Sequence, residues 1–249
     1  MSTVSPAVHQ TGNGGVAADD LRAWRSQTRV FLQPIAAPSI LGLFGFAAAT
    51  FMVAANMAGW YGNAESGVYI FPFALTFGGI AQFAAGLWSY RARDGIATAM
   101  HGMWGSFWIA YGILWGLKAV GDIAIPAGMF PAFGYWFLAL ATITACGAVA
   151  AAFENLGLFS VLATLAAGSA LAAVFFLTGT TGWKEAAGWV LLASSWLAAY
   201  TAFAMMLEGA AGKVLLPLGH LNKRANIPGK QEHLPLEFEL GEPGVRHGQ

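Results

Sequence analysis

A polar side chain in a strongly apolar chain has to be explained, and three stand out. Asn56, Gln82 and His101 lie in long runs that contain no Lys, Arg, Asp or Glu, among scattered hydroxyls such as Thr144, Ser169 and Ser194. An amide in an apolar medium must find a hydrogen-bond partner. For Asn56 and Gln82 two readings stand side by side: glue between helices, or N–H donors offered to a passing anion or its hydration water. Imidazole ordinarily titrates at about pH 6.5, so His101 is a candidate proton sensor as well as a candidate structural or interfacial group.

No catalytic grouping accompanies these residues. A hydrolase needs a nucleophile with an oriented base, and His101 has no carboxylate within its helix turn. The sequence contains no phosphate loop, no H-E-x-x-H and no G-x-S-x-G. A single Cys146 supports neither a disulfide framework nor a cysteine-rich metal site. Haem ligation by two histidines would need a second histidine inside a run, whereas His220, His233 and His247 fall in a polar tail. The chain is expected to be no enzyme and to hold no cofactor and no metal.

Composition dictates the elements that position these side chains. Of 249 residues, 57% are hydrophobic and 10% charged, against roughly 25% charged in a soluble domain. Mean hydropathy is +0.59. Six uncharged runs emerge, at about 38–59, 69–90, 96–117, 129–152, 157–178 and 186–207. Each can cross a hydrocarbon layer of about 30 Å at 1.5 Å per residue. The predicted fold is an all-α polytopic membrane protein with six transmembrane helices in a lipid bilayer. Residues 1–33 read as a disordered N-terminal tail without the early apolar stretch of a signal peptide, 34–219 as the transmembrane domain, and 220–249 as a flexible C-terminal tail. A formal net charge of zero leaves no nucleic-acid footprint.

Charge placement orients the chain. With six spans, both termini share a side with the turns at 91–94 and 154–155. That side collects Arg22, Arg25, Arg29, Arg91, Arg93, Lys213, Lys223, Arg224, Lys230 and Arg246, leaving only Lys118 and Lys184 opposite. Basic residues gather on the cytoplasmic side, so both termini are predicted to be cytoplasmic. The tyrosines at 69, 90, 111, 135 and 200 read mostly as interfacial anchors. Gly112 and Gly116 form a G-x-x-x-G pair, a frequent but weak dimerisation signal. Phe46, Trp104, Phe107 and Trp108 sit beside glycines, where they either fill space or gate a narrow path by excluding water.

Three stretches resemble the acetate uptake transporter family, six-helix succinate–acetate permeases of bacteria with relatives in yeast. PSILGLFGFAAATFMVAANMAGWYG (38–62) is similar to the family's first helix. FGGIAQFAAGLWSYRARDGIATAMHGMWGSFW (77–108) is similar to its Gly-Gly-x-x-Gln helix, polar break and Gly-Ser-Phe-Trp. KVLLPLG (213–219) is similar to its close. The resemblance implies a channel-like or proton-coupled path for acetate, other monocarboxylates and succinate in each subunit of a homohexamer in the cell's inner or plasma membrane. It also implies a constriction with Phe46 and Trp104, Gln82 beside it, and a fifth-helix member near Ser169. Asn56 and Phe107 join the expected lining. Trp104 stands where the family carries Tyr, Asn56 where members often carry His, and Ala37-Pro38-Ser39-Ile40 where the family opens Asn-Pro-x-Pro.

Two other classes are compatible with the same residues: a channel for a neutral solute such as water or urea, and a non-transporting membrane scaffold. With no carboxylate inside a run, a passive or substrate-protonated path is favoured over a proton relay through His101.

Overall fold

The computed structural model describes residues 35–221. The N-terminal tail, most of the C-terminal tail and the basic residues counted there lie outside the described residues. Six helices follow one another: α1 (Pro38–Met57), α2 (Gly67–Ala92), α3 (Gly95–Ala119), α4 (Pro131–Ala151), α5 (Leu156–Thr178) and α6 (Thr181–Ala211). They match the six predicted runs one for one.

Local chemistry sets the helix ends. Pro38 and Pro131 open α1 and α4, where a missing N–H costs nothing. The polar break between α2 and α3 is a tight turn: Arg93 takes a left-handed φ of 59°, and the Asp94 carboxylate accepts from Ala97 N at 2.8 Å to cap α3. Asn155 caps α5 in the same way through Leu158 N. After α6 the chain folds back, and Leu156 N and Gly157 N donate to the carbonyls of Gly219 and Leu218. Among the described residues the only β-type pairing is the single bridge between Asn155 and His220.

Three sequence expectations need correction, and one feature carried no sequence signal. The sixth run was read as 186–207, but α6 extends from Thr181 until Gly212 takes a φ of 66°. Lys184, Glu185 and buried Glu208 are therefore helical, because uncharged runs report hydrocarbon thickness while backbone hydrogen bonding continues past it. Within α2, residues Ala74–Ala81 form a π-helical segment ending immediately before Gln82, a feature without a sequence signal here. Gly112 and Gly116 face Leu75 and Phe71 of α2, so this pair serves packing inside the subunit rather than dimerisation. Tyr111 is buried in α3 and is no interfacial anchor.

Five of the six helices are long and apolar enough by length and composition to cross a membrane; α3 alone falls short on hydropathy. Its glycines, His101 and three tryptophans replace aliphatic side chains, and much of it is buried in the protein rather than offered to lipid. The helices pack in the order α3–α2–α1–α6–α5–α4. Only the α4–α3 contact that would close this ring is sparse. Aromatic side chains occupy that seam, with Phe107 of α3 stacked 6.1 Å from Phe133 and edge-on at 5.4 Å to Phe137, both of α4.

Candidate functional site

Two cavities lie inside the ring, one toward each end. The larger, about 130 Å³, is bordered by the late part of α1 (Asn56), the second half of α3 (Trp108, Tyr111), the α3–α4 link and Lys184 at the start of α6. The smaller, about 30 Å³, is bordered by the early parts of α1 (Ser39, Leu43), α3 (Ala97, His101) and α5 (Leu158), with Gln82 from α2. Trp104 and Leu165 border both. The two cavities are thus separated by an apolar wall that includes these two side chains.

That wall is rigidly made. Phe46 and Trp104 are 2% and 3% exposed and meet edge-on at 6.2 Å. The Trp104 indole N–H donates to Thr144 Oγ1 at 3.0 Å, and Phe107 packs on its other side at 5.2 Å. A ring held by one hydrogen bond and two ring contacts has few rotamers available.

Gln82 is 2% exposed, and its Oε1 has no partner among the described residues. It is carried to the interior because Gly45 lets α1 approach the π segment so closely that a Cβ there would strike the Phe77 carbonyl. His101 is buried against Gly42, where a Cβ would lie 2.6 Å from the imidazole, and its Nδ1 is likewise unpartnered. Asn56 borders the larger cavity but commits one N–H to the Tyr61 carbonyl at 2.9 Å. That bond is local, to the link after α1, and joins no second helix.

Ser169 is fully buried and borders neither cavity. Leu165, one turn earlier on the same helix, borders both cavities and was not singled out in the sequence. An aliphatic residue in an aliphatic helix carries no signal of its own. Thr50 was also passed over, although a hydroxyl within the first apolar run could have marked it; it borders the larger cavity.

The mouths differ in charge. Among the described residues, Lys184 is the only Lys or Arg bordering the larger cavity. Lys118, on the same side, is engaged by Glu65 at 2.9 Å and lies over Trp115. At the other end, burial raises the Asp94 carboxyl above its usual range, and burial together with the charge of Asp94 does the same to Glu154.

Comparison with known proteins agrees with this architecture. The succinate-acetate/proton symporters SatP of Escherichia coli K12 and of Shigella flexneri are each 28% identical over 192 residues, covering 74% of this chain and 96% of the relative. The solved structure of the bacterial acetate channel SatP superposes with a TM-score of 0.67 at 26% identity, covering 74% of this chain and 99% of that one. Residues 25–223 match the GPR1/FUN34/yaaH family, and with four-fifths of its length inside that match the chain belongs to this family of multi-pass membrane proteins.

Proposed function

We propose that the chain carries acetate and related small carboxylates such as succinate across the cell's inner membrane, through a path in each subunit. The observation that carries this reading is the pair of cavities divided by Phe46, Trp104 and Leu165. A narrow apolar wall between two cavities stops bulk water and ions, while a small solute with an apolar methyl group can slip through. Neither a water or urea channel nor a scaffold is favoured, because the similar proteins are named for carboxylate transport. Both termini are assigned to the cytoplasm and the assembly to a homohexamer, the first from the Lys and Arg distribution and the second from the resemblance.

In this scheme Lys184 collects anions at the outer mouth, and Gln82 meets the carboxyl group or its water beyond the wall. Lys184→Met is expected to slow initial acetate uptake about tenfold at low ionic strength. The deficit should shrink as salt rises, since a charge in contact with solvent is screened. A salt-independent deficit would rule out steering.

The direct test is uptake of labelled acetate into proteoliposomes. Gln82→Leu is expected to cut flux at near-normal expression and assembly. A variant that fails to assemble would return Gln82 to the glue reading. Coupling is read from the same preparation with and without an imposed pH gradient. Equilibration alone in wild type and His101→Ala is expected for a passive anion path, whereas gradient-driven accumulation that persists in His101→Ala marks a proton carried by the substrate itself. Accumulation against the acetate gradient that disappears in His101→Ala would establish a relay through His101.

A further inference from the structure

We infer that Thr144, which lies outside the route, sets the width of solute that the Phe46–Trp104 wall admits by holding the Trp104 indole from behind; this rests on the transport reading above. Thr144 is fully buried on α4 and borders neither cavity. Its Oγ1 accepts the Trp104 indole N–H at 3.0 Å, and Trp104 borders both cavities. Thr144 therefore acts on a passing solute only through that ring, as a positioning residue.

Two internal contrasts set this hydroxyl apart. Ser89, Ser106, Thr142, Thr164, Thr178 and Thr201 each donate to the carbonyl four residues earlier in their own helix. That carbonyl is the nearest acceptor a hydroxyl finds in an apolar medium. Thr144, two residues beyond Thr142, makes no such bond among the described residues; its bond reaches another helix. The second contrast lies between the two flanks of α3. Toward α2 the backbones touch: a Cβ at Gly86 would lie 2.6 Å from Gly102 N, and one at Gly105 2.6 Å from Phe83 N. Toward α4 the contact is sparse and made by side chains. There a Cβ at Gly147 would lie 2.5 Å from the Met100 sulfur, Trp104 reaches Thr144, and Phe107 meets Phe137, in antiparallel order. Among the described residues, Trp104 to Thr144 is the only hydrogen bond between α3 and α4.

These contrasts divide the work of fixing the wall. Packing on α2 sets where the Trp104 backbone stands, and Thr144 sets how the ring is turned toward Phe46, 6.2 Å away. An indole N–H can only donate, and the rings on either side, Phe46 and Phe107, offer no oxygen or nitrogen acceptor. A valine at 144 fills nearly the same space but accepts nothing. The indole then loses the one directional contact that selects its rotamer, and it samples tilts that widen the gap at Phe46. A branched acid gains from the wider gap, while acetate, narrow enough for the fixed one, gains little. Selectivity thus depends on a hydroxyl that no solute touches.

The test compares initial uptake of labelled acetate and isobutyrate by the full-length protein in proteoliposomes. Thr144→Val is expected to lower the acetate-to-isobutyrate ratio about fivefold, as for loss of one intramolecular hydrogen bond. Thr144→Ser loses a methyl but keeps the hydroxyl, and should stay near wild type. A residue that only fills space would give the reverse order. With the indole nitrogens labelled with ¹⁵N, the Trp104 N–H resonance is assigned by its absence in Trp104→Phe. It should move upfield in Thr144→Val and hold its place in Thr144→Ser. A wild-type ratio in Thr144→Val would overturn the inference, whether or not the resonance moves. If Thr144→Val fails to fold, Trp104→Phe decides, since it keeps a ring and removes the donor. It is expected to lower the ratio by a similar factor, and a wild-type ratio there would overturn the inference equally. Wild-type protein with no carboxylate flux at all would instead sink the transport reading, while the resonance would still report the bond.

Discussion

Trp104→Ala is expected to convert a selective path into a leak. The indole borders both cavities and meets Phe46 at 6.2 Å, so removing it joins spaces of about 130 and 30 Å³. A constriction that gates by dewetting fails once it is wide enough to stay wet. Acetate-over-chloride selectivity in proteoliposomes should fall by roughly an order of magnitude, the equivalent of about 1.4 kcal/mol of barrier. Truncating a buried Trp also costs about 3–5 kcal/mol of stability, and Thr144 loses the donor it accepts from. The comparison that separates the two effects is Trp104→Tyr, which keeps a ring at the wall and is expected to remain selective. A folded Trp104→Ala protein with wild-type selectivity would show that the wall lies elsewhere.

How much of this was legible beforehand depends on the physics behind each residue. The six helices were, because a span must hide its backbone polar groups in a run of about twenty apolar residues. The turn between α2 and α3 was legible for the same reason, since Arg91, Arg93 and Asp94 cannot sit in hydrocarbon. Gln82 and His101 were visible as polar exceptions. Leu165 was not, because position on a wall depends on which face of α5 turns inward, and a uniformly apolar helix has no pattern to reveal that. The resemblance pointed to the neighbourhood of Ser169, which borders neither cavity. Lys184 entered the sequence reading only as a topological charge, since its place at the cavity mouth follows from α6 beginning at Thr181. The π segment ahead of Gln82 depends on close approach between Gly45 and Phe77, a contact between helices that no single-helix signal records.

Close approach of backbones also governs the other side of the ring, and there Gly188→Val is expected to destabilise the fold. A Cβ at Gly188 would meet the Ala58 amide nitrogen and lie 2.8 Å from the Met57 carbonyl carbon and 2.9 Å from the Ala54 carbonyl oxygen. These are backbone atoms at the end of α1, so no rotamer change relieves the contact, and α1 and α6 must separate. Separation would loosen the ring contacts that span them, Phe51 with Trp196 at 5.6 Å and Trp60 with Trp189 at 5.5 Å. Overpacking commonly costs about 1–3 kcal/mol, and a valine against backbone belongs at the upper end. At about 2–4 °C per kcal/mol for a chain of this size, the melting temperature in detergent should fall by roughly 10 °C. Gly182→Ala is the control: it lies in the same helix, nothing stands within 4 Å of its added Cβ, and it should melt with wild type. The loss should reach function as well, because α1 carries Phe46, Thr50 and Asn56 and a displaced α1 opens the wall against Trp104. A Gly188→Val protein that melts within about 2 °C of wild type would mean the α1–α6 seam can yield, and the wall would then owe its position to α2 and α3 alone.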